Sequence, residues 1–288
     1  MLGAIIGDIV GSKYEFNNIK TKKFVLFDKK KCFFTDDSVM TLAVAESVLE
    51  YLQDPSRIDL NKLTVRNMHR YGARYPRRGY GGSFLVWLIT NSTEPYGSFG
   101  NGAAMRVSSC GFVAKSLEEA KELSKKVTEV THNHPEGLKG AEATSVAIYL
   151  AKTGSTKDEI RDYINKNYYN LDFTLDEIRP TYKFNETCQD TVPQAIEAFL
   201  ESDSFEDAIR NAISIGGDSD TLAAITGGIA EAYYGIPDDI KKQAMYFLDD
   251  YQKGIINDFY QSKFILKNKS WVIKLGLFFS CKNVINIL

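Results

Sequence analysis

Sulfur, histidine and net charge are all scarce in this chain, and each shortage removes a class of function. The four cysteines, Cys32, Cys110, Cys188 and Cys281, stand far apart and form no Cys-x-x-Cys pair. They read as buried or free thiols in a reducing compartment, not as a zinc site or a disulfide framework. Lys and Arg total 35 against 37 Asp and Glu, so a formal charge of −2 gives no reason to expect attraction to nucleic acid. No uncharged apolar run approaches the length that crosses a bilayer. The apolar start, Met1-Leu-Gly-Ala-Ile-Ile-Gly-Asp8, has no basic leader and is broken by Asp8, which does not suit a secretory signal. Repeats, low-complexity linkers, composition breaks and convincing alternating strands are missing too. These absences leave a cytoplasmic, monomeric, single-domain protein of enzyme size as the expectation.

What is present is helical patterning. A hydrophobic content of 44% and a charged content of 25% are ordinary for a globular chain. Apolar spacing predicts helices over 1–16, 39–52, 59–72, 83–90, 103–114, 117–131, 138–152, 156–167, 193–200 and 205–213. In the first, Gly3, Gly7 and Gly11 recur every fourth position and make one smooth face for close packing. Residues 17–34 carry six lysines and read as a solvated loop or hairpin. The fold class expected is all-α: a compact single-domain, multi-helix orthogonal bundle with its chemistry on the loops. Residues 259–288 are set apart from a 1–258 domain as a tail, basic and apolar by turns, with Trp271, Phe278 and Phe279 among its lysines. A last packed helix, a poorly ordered end and contact with acidic lipid are the three readings of it, with membrane contact the least favoured.

Two turns carry the chemistry. Gly216 and Gly217 allow a sharp bend before Asp218-Ser-Asp220-Thr221, which opens a helix. Alone this is a capping signal. A second cluster of the same kind, Thr35-Asp36-Asp37-Ser38, also opens a helix. Paired aspartates with a Thr hydroxyl are hard oxygen ligands suited to Mg²⁺ or Mn²⁺. Four carboxylates brought together without a cation would repel, so the pair of clusters suggests a two-metal site. The glycine- and aromatic-rich loops 75–83 and 96–102 suit phosphate binding or plain turns equally. His132 and His134 lack a third nitrogen or sulfur ligand at zinc spacing, which favours capping or ligand contact.

The ordered set Gly7-Asp8-x-x-Gly11-x-x-x-Glu15, Thr35-Asp36-Asp37-Ser38, Gly97-Ser-Phe-Gly-Asn-Gly-Ala-Ala-Met-Arg106, Thr131-His132 and Gly216-Gly-Asp-Ser-Asp-Thr221 with Gly227-Gly228 resembles the ADP-ribosylglycohydrolase family over roughly residues 1–255. The resemblance implies an all-α fold with two Mg²⁺ or Mn²⁺ ions at the mouth of an ADP-ribose cleft. It implies Thr35, Asp36, Asp37, Asp218, Asp220 and Thr221 as metal ligands, Asp220 bridging, and Glu15 as the catalytic acid/base. Gly97, Ser98, Phe99, Gly100, Asn101, Gly102, His132 and Gly217 would contact substrate. Phe99 stands where some members have Tyr. The partner implied is an ADP-ribosylated protein or a small ADP-ribose conjugate, with arginine the first linkage to test. A catalytically silent ADP-ribose binder or crystallin-like structural relative is the alternative. An isoprenoid-synthase reading needs Asp-Asp-x-x-Asp, and Asp36-Asp37-Ser-Val-Met40 lacks the last acid.

Overall fold

The computed structural model describes residues 1–266, and among them it is all helix and loop, with a single isolated bridge between Gly100 and Thr187. In chain order the helices are α1 (Leu2–Gly11), α2 (Asp36–Tyr51), α3 (Leu60–Arg74), α4 (Gly82–Ile89), α5 (Gly102–Met105), α6 (Ser108–Val113), α7 (Leu117–Thr128) and α8 (Pro135–Thr153). They continue with α9 (Lys157–Asn167), α10 (Leu175–Ile178), α11 (Val192–Leu200), α12 (Phe205–Ser214), α13 (Ser219–Tyr234), α14 (Asp238–Ala244), α15 (Asp250–Gln261) and α16 (Lys263–Leu266). None of them is long and apolar enough to cross a membrane.

The centre of the molecule is α1 laid against α13, both buried along nearly their whole length. The glycine stripe makes this possible. A Cβ on Gly3 would stand 2.2 Å from the Gly227 carbonyl oxygen, one on Gly7 1.9 Å from that of Ala223, and one on Gly11 2.4 Å from the Asp220 Cα. Only glycine lets the two backbones come this near. The contact therefore fixes where α13 begins relative to α1, and with it where Asp220 stands. Helix α2 packs beside α1 and starts at the same end of the bundle, so two helix N-termini converge on one place.

Several boundaries differ from the sequence expectation for identifiable reasons. Helix α1 ends at Gly11, and Tyr14, Glu15 and Phe16 lie in the turns that follow. The helix expected over 103–114 is broken into α5 and α6 around Arg106 and Val107, where Arg106 donates to a buried hydroxyl on Thr131. Thr131 and His132 fall outside α7, which stops at Thr128. The segment 17–34 is irregular, with no strand.

The boundary set at 258/259 falls inside α15. Phe259 is buried, and Tyr260 donates to Glu231 of α13 while accepting the Leu2 amide at 2.9 Å. Ile265 is buried as well. The tail lysines from Lys267 onward, Trp271, Phe278, Phe279 and Cys281 lie outside the described residues. Cys32, Cys110 and Cys188 are free and buried, as expected for thiols that form no disulfide.

Candidate active site

Asp8 is the first organiser of the site. It sits in the apolar helix α1, fully buried, and its carboxylate accepts from the Thr35 amide at 2.9 Å, the Thr35 hydroxyl at 2.7 Å and the Ser38 amide at 3.0 Å. The Ser38 hydroxyl donates to it too. These bonds pull the start of α2 onto α1. Thr35 caps α2 by accepting the Asp37 amide at 3.2 Å, and the Asp36 amide is held by the Arg78 carbonyl at 2.8 Å. Asp36 and Asp37 are thereby fixed at the first turn of the helix, where the backbone dipole favours negative charge.

The second turn arrives from the far end of the chain. Gly216 and Gly217 take φ of 72° and 77°, the left-handed region where glycine is favoured, and they turn the chain into α13. Asp218 is the N-cap residue of α13, yet its side chain makes no capping bond. Its Oδ2 instead accepts from Asn101 Nδ2 at 2.7 Å, so the plain capping reading does not describe this carboxylate. Oxygens of Glu15, Asp218 and Asp220 lie within 4.8 Å of one another. The Thr221 hydroxyl donates to Asp37 Oδ2 at 3.3 Å, which joins the two turns directly.

The donor set fits divalent cations. Every group in it offers oxygen, the donor type that hard divalent cations take. Asp37 Oδ1 is buried with no hydrogen-bond partner, an uncommon state for a carboxylate oxygen and one that a cation would relieve. The electrostatics agree. Burial raises Asp36, Asp37 and Asp220 well above the ordinary carboxylate range, with neighbouring carboxylates adding to it. Burial also raises Asp218. Asp8 is pushed up to about 6 by burial, against its four hydrogen bonds, and Glu15 to about 7 by burial and then by Asp218.

Above the carboxylates opens a cleft of about 220 Å³. Of the residues singled out from sequence, Glu15, Asp36, Asp37, Ser98, Gly100, Asn101, Gly102, His132, Asp218, Asp220 and Thr221 line it. Thr35, Gly97, Phe99 and Gly217 do not. The Thr35 hydroxyl donates to Asp8 at 2.7 Å and stands 3.4 Å from Asp37 Oδ2. The Gly97 amide is taken by Asn133 Oδ1 at 2.8 Å, and Phe99 packs on the His134 ring at 5.2 Å. Tyr182 covers Gly217. His134 caps α8 by accepting the Glu136 amide. The 97–102 loop is tied down by the Asn101 amide to the Glu186 carbonyl at 2.7 Å and the Cys188 amide to the Phe99 carbonyl at 3.0 Å.

Residues outside the predicted site set complete the cleft. Arg106 is buried, donates to Thr131 at 2.6 Å and reaches His132 Nδ1 at 3.3 Å, while its Nε has no hydrogen-bond partner. Burial lowers Arg106 to about 10, and burial with the Arg106 charge holds His132 well below the ordinary histidine range. Gly79, Gly81, Ser83, Tyr96 and Glu186 also line the cleft. The signal for Asp8 and Arg106 was a charged residue inside an apolar helical run; Glu186 had none.

Two acidic turns and a glutamate, gathered by helix N-termini under a glycine-rich cleft, define an all-α protein with a buried oxygen-ligand cluster. Comparison with known proteins agrees. The family model for ADP-ribosylglycohydrolase matches residues 1–264, and the chain belongs to that family. It is 25% identical to mouse ADP-ribosylhydrolase ARH3 over 82% of this chain and 83% of the relative. It is 27% identical to ADP-ribosylarginine hydrolase Tri1 of Serratia proteamaculans over 82% of this chain and 70% of the relative. A solved chain from an ADP-ribosylglycohydrolase-related protein complex superposes with a TM-score of 0.66 at 21% identity, covering 90% of this chain and 95% of that one, which supports the shared fold.

Proposed function

We propose that this chain hydrolyses the glycosidic bond of ADP-ribosylated substrates and releases ADP-ribose, with arginine-linked protein as the substrate and two Mg²⁺ or Mn²⁺ ions as cofactors. The observation that carries this is the convergence of Asp36–Asp37 and Asp218–Thr221, with Glu15 beside them, on one cleft. The cations would be held by Thr35, Asp36, Asp37, Asp218, Asp220 and Thr221, and when bound they supply orientation of the ribose hydroxyls and a more acidic water.

The chain's own residues do the rest. Cleavage at the anomeric carbon passes through an oxocarbenium-like state and needs a proton on the leaving atom. Glu15, half-buried and raised to about 7 by its surroundings, is suited to hold that proton and to take one back from the attacking water. The buried Arg106 guanidinium and the amide of Gly102 at the start of α5 complement the diphosphate. Glu186 offers a negative charge at the cleft to a guanidinium leaving group, as the arginine linkage named for the Serratia relative would require.

Release of ADP-ribose from matched arginine- and serine-modified peptides, with metal omitted and restored, tests the reading. Arginine-peptide turnover that appears only with Mg²⁺ or Mn²⁺ supports it. Turnover of the serine peptide alone removes the linkage. Binding of ADP-ribose without any turnover leaves a silent binding member of the family.

A further inference from the structure

Glu15 lies in a turn outside any helix, and something must hold its carboxylate against Asp218 and Asp220. Asn18 meets that need. Its Nδ2 donates to the carbonyls of Tyr14 at 2.8 Å, Glu15 at 2.9 Å and Gly217 at 2.8 Å, and its Oδ1 accepts the Gly217 amide at 2.7 Å. Two N–H groups thus serve three carbonyls, one of them shared, and each of these bonds goes to backbone. Half of these bonds go to the segment that carries Glu15 and half to the residue just before Asp218. The 216–218 turn is fixed from its other side: the Tyr182 ring stands 2.4 Å from where a Gly217 Cβ would be. A single side chain therefore ties two segments 199 residues apart at the point where the proposed acid/base meets the proposed metal ligands.

We propose that Asn18 is the positioning residue that sets the Glu15 carboxylate against the Asp218–Asp220 pair. This rests on the hydrolase reading for its effect on turnover, and on geometry alone for its effect on Glu15. Asn18 touches no reacting atom; it acts through Glu15. Neighbouring Lys20 is the internal control, because its Nζ donates to the Ile215 and Tyr182 carbonyls and to nothing on the Tyr14–Glu15 segment.

The test is Asn18→Ala in the full chain, in wild-type and Glu15→Gln backgrounds. In the wild-type background kcat falls on the order of tenfold to a hundredfold, the scale of a misplacement near 1 Å, while KM holds. In the Glu15→Gln background the same substitution costs nothing further, since the group it positions is already gone. Asn18→Asp keeps the acceptor for Gly217 but loses every donor, so it shows the same split if the alanine variant folds poorly. Lys20→Ala leaves the two backgrounds equally affected. An equal loss from Asn18→Ala in both backgrounds, or an unchanged kcat, overturns the proposal. Should wild type release no ADP-ribose from any linkage, the hydrolase reading fails, and a crystal structure of Asn18→Ala decides the positioning claim by itself. Glu15 oxygens outside the 4.8 Å cluster uphold it; an unmoved carboxylate overturns it.

Discussion

The Thr221 hydroxyl donates to Asp37 Oδ2 at 3.3 Å, across 184 residues of sequence. That bond is the physical meeting of the two acidic turns, and each helix that reaches it begins there. Replacing either carboxylate should therefore damage the same property. Asp37→Asn and Asp220→Asn are each expected to abolish metal-dependent ADP-ribose release, and isothermal titration with Mn²⁺ should show the matching loss of binding. A variant that keeps both would place the chemistry elsewhere.

Asp8 reaches no cleft, but it holds Thr35 and Ser38 by four donors. Asp8→Asn turns an acceptor into a partial donor facing those groups. Removing a partner that orients metal ligands costs about 10- to 100-fold in cation affinity or activity, and that loss is expected here. Mn²⁺ affinity equal to wild type would show that Asp8 serves stability only.

The raised carboxylates make the metal-free protein sensitive to alkali. Asp8 at about 6 and Glu15 at about 7, with Asp36, Asp37, Asp218 and Asp220 raised as well, keep more protons in the folded state than the unfolded chain binds. The contribution of Asp8 and Glu15 to stability is full below the ordinary carboxylate range near pH 4 and is lost as pH rises through about 6 to 7, and the other raised carboxylates act in the same direction. A cation replaces those protons. The increase in Tm on adding Mg²⁺ should thus be larger at about pH 8 than at about pH 5. An increase of the same size at both would contradict the shifts.

The glycine stripe on α1 ties stability to the site. Gly7→Ala drives a methyl into the Ala223 carbonyl, and overpacking of this kind costs at least about 1–3 kcal/mol, read from a denaturant midpoint. Gly11→Ala meets the Asp220 Cα, so it should weaken Mn²⁺ binding as well as stability. Equal Mn²⁺ affinity in Gly11→Ala would uncouple the two.

Glu186 is exposed, so its charge is screened and its effect on a guanidinium modest. Glu186→Gln should lower kcat/KM for the arginine-linked peptide about two- to fivefold, the range of an exposed ion pair, and leave a serine-linked peptide unchanged. Parallel loss on both would make Glu186 a general feature of the cleft.

Much of this was legible from sequence because the site is built from contiguous motifs at helix starts. Thr35–Ser38, Asp218–Thr221 and the Gly3, Gly7, Gly11 spacing each declare local structure, and helix packing needed only their faces. What could not be read was pairing at a distance. Asn18 looks like any polar loop residue until Gly217 is beside it, and Glu186 acquires meaning only from the cleft it borders. The inward turn of Arg106 could not be read either, since its hydroxyl partner, Thr131, lies 25 residues on. Helix α15 went unread although a local capping box of Asp249 and Gln252 opens it.

Crystals of the wild-type chain soaked in Mn²⁺ and measured for anomalous scattering address the cage most directly. Two peaks bounded by Asp36, Asp37, Asp218 and Asp220 are the expected result. Ordered side chains with no Mn²⁺ among them would contradict it.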